Sequence, residues 1–373
     1  MSDENEAALK RILDANRNRA LEALRVLEDH LRFVRQASAL ATRAKDLRHR
    51  VHLALARPAF ADLVAHRDVA GDPGRPGEST GAAGTSPTGA GPGAPAPGPR
   101  AVRGSTEDVA LASFGRAKEA LRALEEYAKP LDRDAAAELE RVRYATYELE
   151  ASHAQAVSGA ARLAGKPLYV LLEEKAGRPP LGEQARAALA GGARLFQLRE
   201  KKKDDGARLA DAREIARIVQ GEGGLLLVND RPDVAVLAGA DGVHVGQTDL
   251  PPGEVRRLLS RGSLVGSSAH DAPELARSLA GGPDYMGIGT VFASPTKPEL
   301  GVKGLEVLRS LARAAGVPVY AIGGVTLANA ASAIDAGASG VAVSSAVLDA
   351  SSIADAVRAL DGVVREALAR RRA

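Results

Sequence analysis

Two hydrophobic periods divide the chain. Through roughly the first 155 residues, apolar positions recur every three to four residues, the spacing of a helix face. Leu21, Leu24, Leu27 and Leu31 mark one such face, and Leu121, Leu124 and Ala128 another. From Pro167 onward, short β-rich apolar runs take over, at 168–172, 194–198, 225–228, 242–245, 264–267, 285–291, 317–322 and 340–343. Amphipathic helices lie between most of them: Leu209, Ala212, Ile215 and Val219 mark the buried face of one, and Leu305, Leu308 and Leu311 that of another. Strand–helix alternation repeated eight times predicts an α/β region folded as a (β/α)8 barrel. A doubly wound open sheet is the structural alternative. The first strand is not followed by GxGxxG, which counts against a dinucleotide fold.

The helical region repeats itself. Arg19-Ala20-Leu21-Glu22-Ala23-Leu24-Arg25-Val26-Leu27-Glu28 returns 97 residues later as Arg116-Ala117-Lys118-Glu119-Ala120-Leu121-Arg122-Ala123-Leu124-Glu125. A second echo follows each copy, Asp46-Leu47-Arg48-His49 and Arg141-Val142-Arg143-Tyr144. A duplicated helical hairpin, packed as an all-α bundle, accounts for both. Between the copies, 71–104 is rich in Gly, Pro, Ala, Ser and Thr and has no large aliphatic residue before Val102. Such a stretch cannot bury enough apolar surface to offset its chain entropy, and a disordered insertion is expected there. The domain boundary is expected in the Gly159–Lys166 region, giving a bundle over 1–160 and a barrel over 164–373.

Composition narrows the partners. Aromatic residues make up only 3% of the chain, with no Trp, which counts against base-stacking surfaces for nucleic acid. The formal charge of +3 comes from 50 basic and 47 acidic residues, so no general polyanion surface is implied. There are no cysteines, which excludes disulfides, thiolate metal sites and cysteine nucleophiles. The first residues are acidic and polar, unlike a secretory signal, and no apolar run approaches the ~20 residues that span a bilayer. A cytoplasmic protein without membrane attachment is expected, and the sequence is compatible with a homo-oligomer.

The apolar runs end in polar groups, and in a barrel these ends share one face. Asp230 and Asp249 each close a strand or open its loop. Paired carboxylates suit Mg2+, although either could instead cap a turn. Arg199, Lys201 and Lys297 bring positive charge, Arg as a fork and Lys as a point charge. Strand alternation aims Gln197, Arg199 and Lys201 to one side, and Leu198 and Glu200 to the other. Ile322-Gly323-Gly324 and Val343-Ser344-Ser345 end the last two strands, where barrels often bind phosphate through backbone N–H groups. His244 and His270 read more readily as hydrogen-bonded structural residues than as catalysts. With no nucleophile–base pair evident, the ends describe a mouth that stabilises a leaving diphosphate by charge and takes small phosphorylated substrates.

These residues resemble the thiamine-phosphate synthase family over about 167–350. The shared motifs are QLREK at 197–201, VNDR at 228–231, DGVHVGQTDL at 241–250, GSSAH at 266–270, GTVFASPTK at 289–297, AIGG at 321–324 and VSSA at 343–346. The resemblance implies a (β/α)8 barrel that joins hydroxymethylpyrimidine diphosphate to thiazole phosphate, releasing pyrophosphate. It implies one Mg2+ held by Asp230 and Asp249, and a dissociative path in which diphosphate leaves before the thiazole nitrogen attacks. It assigns the run Gln197, Leu198, Arg199, Glu200 and Lys201, with Asn229, Ser268 and Lys297, to the pyrimidine diphosphate. Arg199, Lys201, Ser268 and Lys297 would be its catalytic groups. Ser294, Pro295, Thr296, Gly324, Ser344 and Ser345 would receive the thiazole phosphate. Two departures stand out: the first strand ends in Glu173-Glu174 rather than Thr-Asp, and Ser294 stands where Thr is common.

The helical region is similar to a domain fused ahead of this synthase in some bacteria and associated with hydroxymethylpyrimidine phosphate kinase activity. The matching residues are Asp14-Ala15-Asn16, Arg19-Ala20, Glu22 to Glu28, Arg48-His49 and Arg143-Tyr144. ATP would then be its phosphoryl donor, although no GxxxxGK[ST] loop occurs. A purely structural or oligomerising bundle is the competing reading. For the barrel, the rivals are a sugar-phosphate isomerase or lyase, which needs an acid–base pair, and a regulator that binds without turnover.

Overall fold

The computed structural model describes residues 3–35, 37–67, 104–260, 262–293 and 301–372. Of the expected insertion at 71–104, only Gly104 falls within them. The chain forms two compact units, one of residues 1–34 and 41–150, the other of 35–40 and 151–373. The division at 150/151 falls inside one long helix.

The first unit is helical, as its period predicts. Its main helices are α1 (Asp3–Asp29), α2 (Ser38–Ala54) from residue 41 onward, α3 (Thr106–Ala128) and the first part of α4 (Arg133–Leu163). α1 and α3, which carry the repeated sequence, pack together. Leu13, Ala20, Leu24 and Leu27 on α1, and Leu31 just beyond it, are buried with Ala110, Phe114, Ala117, Leu121 and Leu124 on α3. The helical repeat of 3.6 residues places these on one stripe of each helix. Ser105 caps α3 reciprocally: its hydroxyl accepts from the Asp108 N–H at 3.1 Å, and Asp108 accepts from the Ser105 N–H at 3.0 Å. The duplication is visible in equivalent ion pairs. Arg48 donates to Glu28 at 3.0 Å, and Arg143 to Glu125 at 2.7 Å.

The second unit is a closed, all-parallel barrel of eight strands in sequence order, β1 pairing with both β2 and β8. This excludes the open doubly wound sheet. The strands are β1 (Leu168–Leu172), β2 (Leu195–Leu198), β3 (Leu225–Asn229), β4 (Gly242–Val245), β5 (Leu264–Ala269), β6 (Tyr285–Gly289), β7 (Val319–Ile322) and β8 (Gly340–Val343). Helices α5 (Leu181–Ala190) to α11 (Ala330–Asp335) follow the first seven strands in turn, and α12 (Ser345–Leu348) and α13 (Ile353–Arg372) close the chain. No helix among the described residues is long and apolar enough to cross a membrane.

Strand alternation sorts the core into two layers. Phe196, Leu198, Leu226, Val228, Val243 and Val265 face outward into a large cluster with the helices. Tyr169, Leu171, Leu195, Leu227, Leu264, Tyr285 and Tyr320 fill the inside. The three tyrosines meet edge-on, with ring centroids 5.5–5.7 Å apart. Gly266 makes room for them: a Cβ there would lie 2.0 Å from a carbon of the Tyr285 ring. The last turns of α4 belong to this unit and meet the barrel at the strand N-termini. Leu163 joins the interior cluster, and Arg162 pairs with Asp241 at 2.6 Å. The opposite end is left open.

Candidate active site

The strand C-termini surround a cavity of about 410 Å3. Glu173 after β1, Arg199 after β2, Ser268 on β5, and Thr290 after β6 line it. Gly323 and Gly324 after β7, with Ser344 and Ser345 after β8, complete the wall. Both glycines have positive φ, +94° and +65°, and a Cβ on Gly324 would lie 2.2 Å from the Ala293 carbonyl oxygen. Only glycine allows this loop to fold so closely against the segment after β6. The Asn329 side chain holds it there, donating to the Gly324 carbonyl at 2.9 Å.

At the ends of β3 and β4, on the same rim, stand the two aspartates. Asp249 accepts the Gly246 N–H at 2.7 Å, and Asp230 pairs with Lys201 at 3.0 Å. The two carboxyls also lie close enough to shift one another's ionisation, in opposite directions. Like charges this close oppose one another's ionisation. Burial and the neighbouring Asp230 push Asp249 up, despite the Gly246 N–H. Burial also opposes ionisation of Asp230, but the bonds from Asp249 and Lys201 outweigh it and hold Asp230 below the usual range. Asp230 has φ +62°, the only left-handed non-glycine among the described residues, and its N–H donates to the His244 carbonyl at 2.8 Å. The fold thus holds an uncommon backbone conformation where it brings the carboxylates together.

Arg199 donates to Glu173 at 2.6 Å. Gln197 and Ser268 are joined through the barrel interior. The Gln197 amide donates to the Tyr169 hydroxyl at 2.7 Å, which meets the Tyr285 hydroxyl at 2.8 Å. Tyr285 meets His244 Nδ1 at 2.9 Å, and His244 Nε2 meets the Ser268 hydroxyl at 2.9 Å. Burial raises both phenols above their ordinary range, so they remain protonated hydrogen-bonding groups. His244 is hydrogen-bonded on both ring nitrogens, as a link in this chain rather than an isolated residue. His270 lines the cavity while its Nδ1 contacts Glu274 at 2.7 Å.

The structure therefore brings Arg199, Ser268, Gly324, Ser344 and Ser345 to one cavity, with Lys201, Asp230 and Asp249 on the rim. Asn229 ends β3 opposite His244, on the inward-facing alternation of Leu225 and Leu227. Two residues of the 197–201 run keep their side chains buried rather than open to the mouth. Leu198 is buried in the outer layer against the helices, because strand alternation turns it away from the mouth. Glu200 is also buried, its Oε1 accepting the Lys202 N–H at 3.2 Å. Ser294, Pro295, Thr296 and Lys297 lie outside the described residues. Glu173, Thr290 and the tyrosine chain are not apparent in the sequence as parts of the site. The signal for Glu173 was present, since it is where the first strand departs from its family pattern.

A closed parallel barrel with paired carboxylates, cations and a glycine–serine pocket at its C-terminal mouth defines an enzyme that handles phosphorylated substrates. Residues 168–347 match the family model for thiamine monophosphate synthase, and residues 11–87 and 94–152 that for the ThiD2 family. The thiamine-phosphate synthase of Thermosynechococcus vestitus is 40% identical over 348 residues, covering 92% of this chain and 91% of the relative. That of Gloeobacter violaceus is 38% identical over 345 residues, covering 92% and 94%. Thiamine phosphate pyrophosphorylase from Pyrococcus furiosus superposes with a TM-score of 0.51 at 32% identity, covering 54% of this chain and 97% of that one. The chain belongs to the thiamine-phosphate synthase family, whose members are transferases. This decides against the sugar-phosphate isomerase or lyase reading of the barrel.

Proposed function

We propose that the barrel couples a pyrimidine diphosphate to a thiazole phosphate by a dissociative path, with the labour divided around the rim. Gln197, Arg199, Lys201, Asn229, Ser268 and Lys297 receive the diphosphate substrate. Gly324, Ser344 and Ser345, with Ser294 and Thr296, receive the thiazole phosphate. The observation that carries this reading is the neighbouring carboxyls of Asp230 and Asp249 beside Lys201, on the same rim as the Gly324–Ser344–Ser345 pocket.

The carboxylate pair fits a hard divalent cation. Two oxygen-donor side chains converge there, and burial with the neighbouring Asp230 raises Asp249, a repulsion that a cation would relieve. Asp230 and Asp249 would hold Mg2+, which supplies neutralisation of charge on a departing diphosphate. This chain's own groups do the rest. Arg199 and Lys201 add positive charge where the C–O bond breaks and its electron pair leaves with the diphosphate oxygen. Ser268, fixed by His244, orients the pyrimidine. The thiazole nitrogen lone pair then forms the new C–N bond at the pyrimidine methylene carbon. No general base is required by these steps, in keeping with a mouth where His244 and His270 are both engaged by neighbours.

Supplying the full chain with both substrates and Mg2+ should yield thiamine phosphate and pyrophosphate in equal amounts. A metal-independent reaction, or one unaffected by Asp230→Asn, would refute the assignment of the carboxylates.

A second activity is favoured by the ThiD2 match and by one local observation. Glu22, Arg25, Arg48 and His49, all from the repeated motifs, line a single open cleft of about 910 Å3 in the helical unit, beside Lys45 and His52. We infer that this unit phosphorylates the pyrimidine monophosphate, moving the terminal phosphoryl group of ATP to a phosphate oxygen and releasing ADP. The full chain should then make thiamine phosphate from pyrimidine monophosphate, thiazole phosphate and ATP, and make none when ATP is withheld. If the diphosphate supports synthesis but the monophosphate with ATP does not, the unit is a scaffold.

A further inference from the structure

The segment after β1 is where the sequence departs from its family's pattern, and it carries a buried arginine. The Arg178 side chain is only 3% exposed, although it lies in a loop. Its Nη1 contacts the Ser344 hydroxyl at 3.4 Å and its Nη2 the Ser345 hydroxyl at 3.3 Å. Its Nε donates to Asp349 Oδ1 at 2.6 Å, while Lys175 holds the other oxygen of that carboxylate at 3.0 Å. Nη1 also reaches the Glu173 carbonyl oxygen at 3.4 Å. The guanidinium is thus fixed on three sides, directly behind the two serines that face the cavity.

We propose that Arg178 is a positioning residue of the phosphate pocket, setting Ser344 and Ser345 to donate to a phosphate monoester and selecting phosphorylated thiazole over its alcohol. The argument is one of donors and acceptors. A guanidinium has only donors, so its contacts with the serines use hydroxyl lone pairs. Each serine then has one proton left to donate, and the cavity is where it can do so. Phosphate oxygens are acceptors and match that arrangement, whereas an alcohol takes less from it. The buried charge acts in the same direction, and with little screening. Asp349 and the Glu173 carboxylate, 3.9 Å from Nη1, offset part of it, but Glu173 is shared with Arg199 and Asp349 with Lys175, and Arg178 and Lys175 together hold Asp349 below the usual carboxylate range. Lysine could not replace the arginine, because one ammonium cannot span two serines and Asp349 as a planar fork does.

The inference rests on Ser344 and Ser345 being the thiazole phosphate pocket, so the test separates the two. Steady-state kinetics on the full chain would compare wild type, Arg178→Met, Arg178→Lys, Asp349→Asn and the pair Ser344→Ala/Ser345→Ala. For Arg178→Met, KM for thiazole phosphate should rise about tenfold, the range for losing charge-assisted contacts. KM for the pyrimidine diphosphate should stay within about twofold, and kcat at saturation should move far less than the thiazole phosphate KM. The preference for thiazole phosphate over thiazole alcohol should shrink about tenfold. Arg178→Lys should fall between, and Asp349→Asn, which leaves the arginine in place, should shift the same KM by about threefold. These milder variants carry the test if Arg178→Met does not fold. Unchanged KM and selectivity in the Arg178 variants, or equal losses for both substrates, would overturn the inference. If the serine pair itself leaves the thiazole phosphate KM unchanged, the pocket assignment fails and the inference with it. If the serines matter and Arg178 does not, only the inference fails.

Discussion

Glu173 and Arg199 form an ion pair at 2.6 Å across the adjacent ends of β1 and β2, inside the cavity rather than beside it. Arg199 is one of the cations assigned to the diphosphate, so the pair sets a carboxylate against the charge the substrate needs. Glu173→Gln keeps an acceptor for Arg199 but removes one negative charge. It should lower KM for the pyrimidine diphosphate about threefold at low salt, and less at high salt, because both side chains are partly exposed. Initial rates across an ionic-strength series would show this. A higher KM would mean that the carboxylate anchors Arg199 rather than competing for it.

Asp230→Asn should reduce kcat about a hundredfold or more, the scale expected when a cation's stabilisation of a leaving group is lost. Asparagine is the informative choice because it tolerates the left-handed backbone that Asp230 adopts at φ +62°. Alanine would add strain to the loss of charge. The melting temperature should change little, and Mg2+ titrated against activity should no longer saturate in the wild-type range. Normal Mg2+ dependence in this variant would remove Asp230 from the metal site.

Tyr285→Phe deletes the hydroxyl that joins Tyr169 to His244, at 2.8 and 2.9 Å. Losing buried hydrogen bonds should cost about 1–3 kcal/mol. Ser268 also loses its orientation through His244, so kcat should fall more than KM rises. Gly266→Ala should destabilise by a similar or larger amount for a different reason, since its Cβ would overlap the Tyr285 ring. Because the overlap involves ring carbons, Tyr285→Phe should not relieve it. Thermal denaturation of both single variants and the double variant would decide, and rescue of Gly266→Ala by Tyr285→Phe would contradict the packing argument.

What could be read from the sequence follows from how far each feature reaches along the chain. The alternation of Leu195, Gln197 and Arg199 is local, and the barrel keeps it, with Phe196 and Leu198 facing out. Asp230 and Asp249 are each visible as strand ends, so their convergence follows once a barrel is assumed. The chain from Gln197 through Tyr169, Tyr285 and His244 to Ser268 was hidden, because it joins five strands and no two of its members are neighbours in sequence. A buried tyrosine in an apolar run reads as core, and only closure of the ring shows where its hydroxyl goes. The Arg178–Ser344 contact has the same origin: β1 lies beside β8 only because the sheet closes.

The duplicated pairs of the helical unit are equivalent in sequence but not in burial, and their energetics should differ accordingly. Arg143 and Glu125 are 7% and 3% exposed in their side chains, whereas Arg48 is 30% exposed beside Glu28 at 8%. Arg143 also lies under the rings of Tyr144 and Tyr147, 4.6 and 5.6 Å from their centroids. Arg143→Met would leave Glu125 buried with only the more exposed Arg122 and Lys129 to meet it. That should cost about 2–4 kcal/mol, near the range for breaking a buried pair. Arg48→Met exposes Glu28 to nearby water and should cost about 1 kcal/mol. Because the chain has two units, a single unfolding midpoint would mix them. Amide exchange resolved by segment is the better measurement, with protection expected to fall across α3 and α4 in Arg143→Met, and to a smaller extent across α1 and α2 in Arg48→Met. Equal losses in the two variants would mean that burial does not set the strength of these pairs.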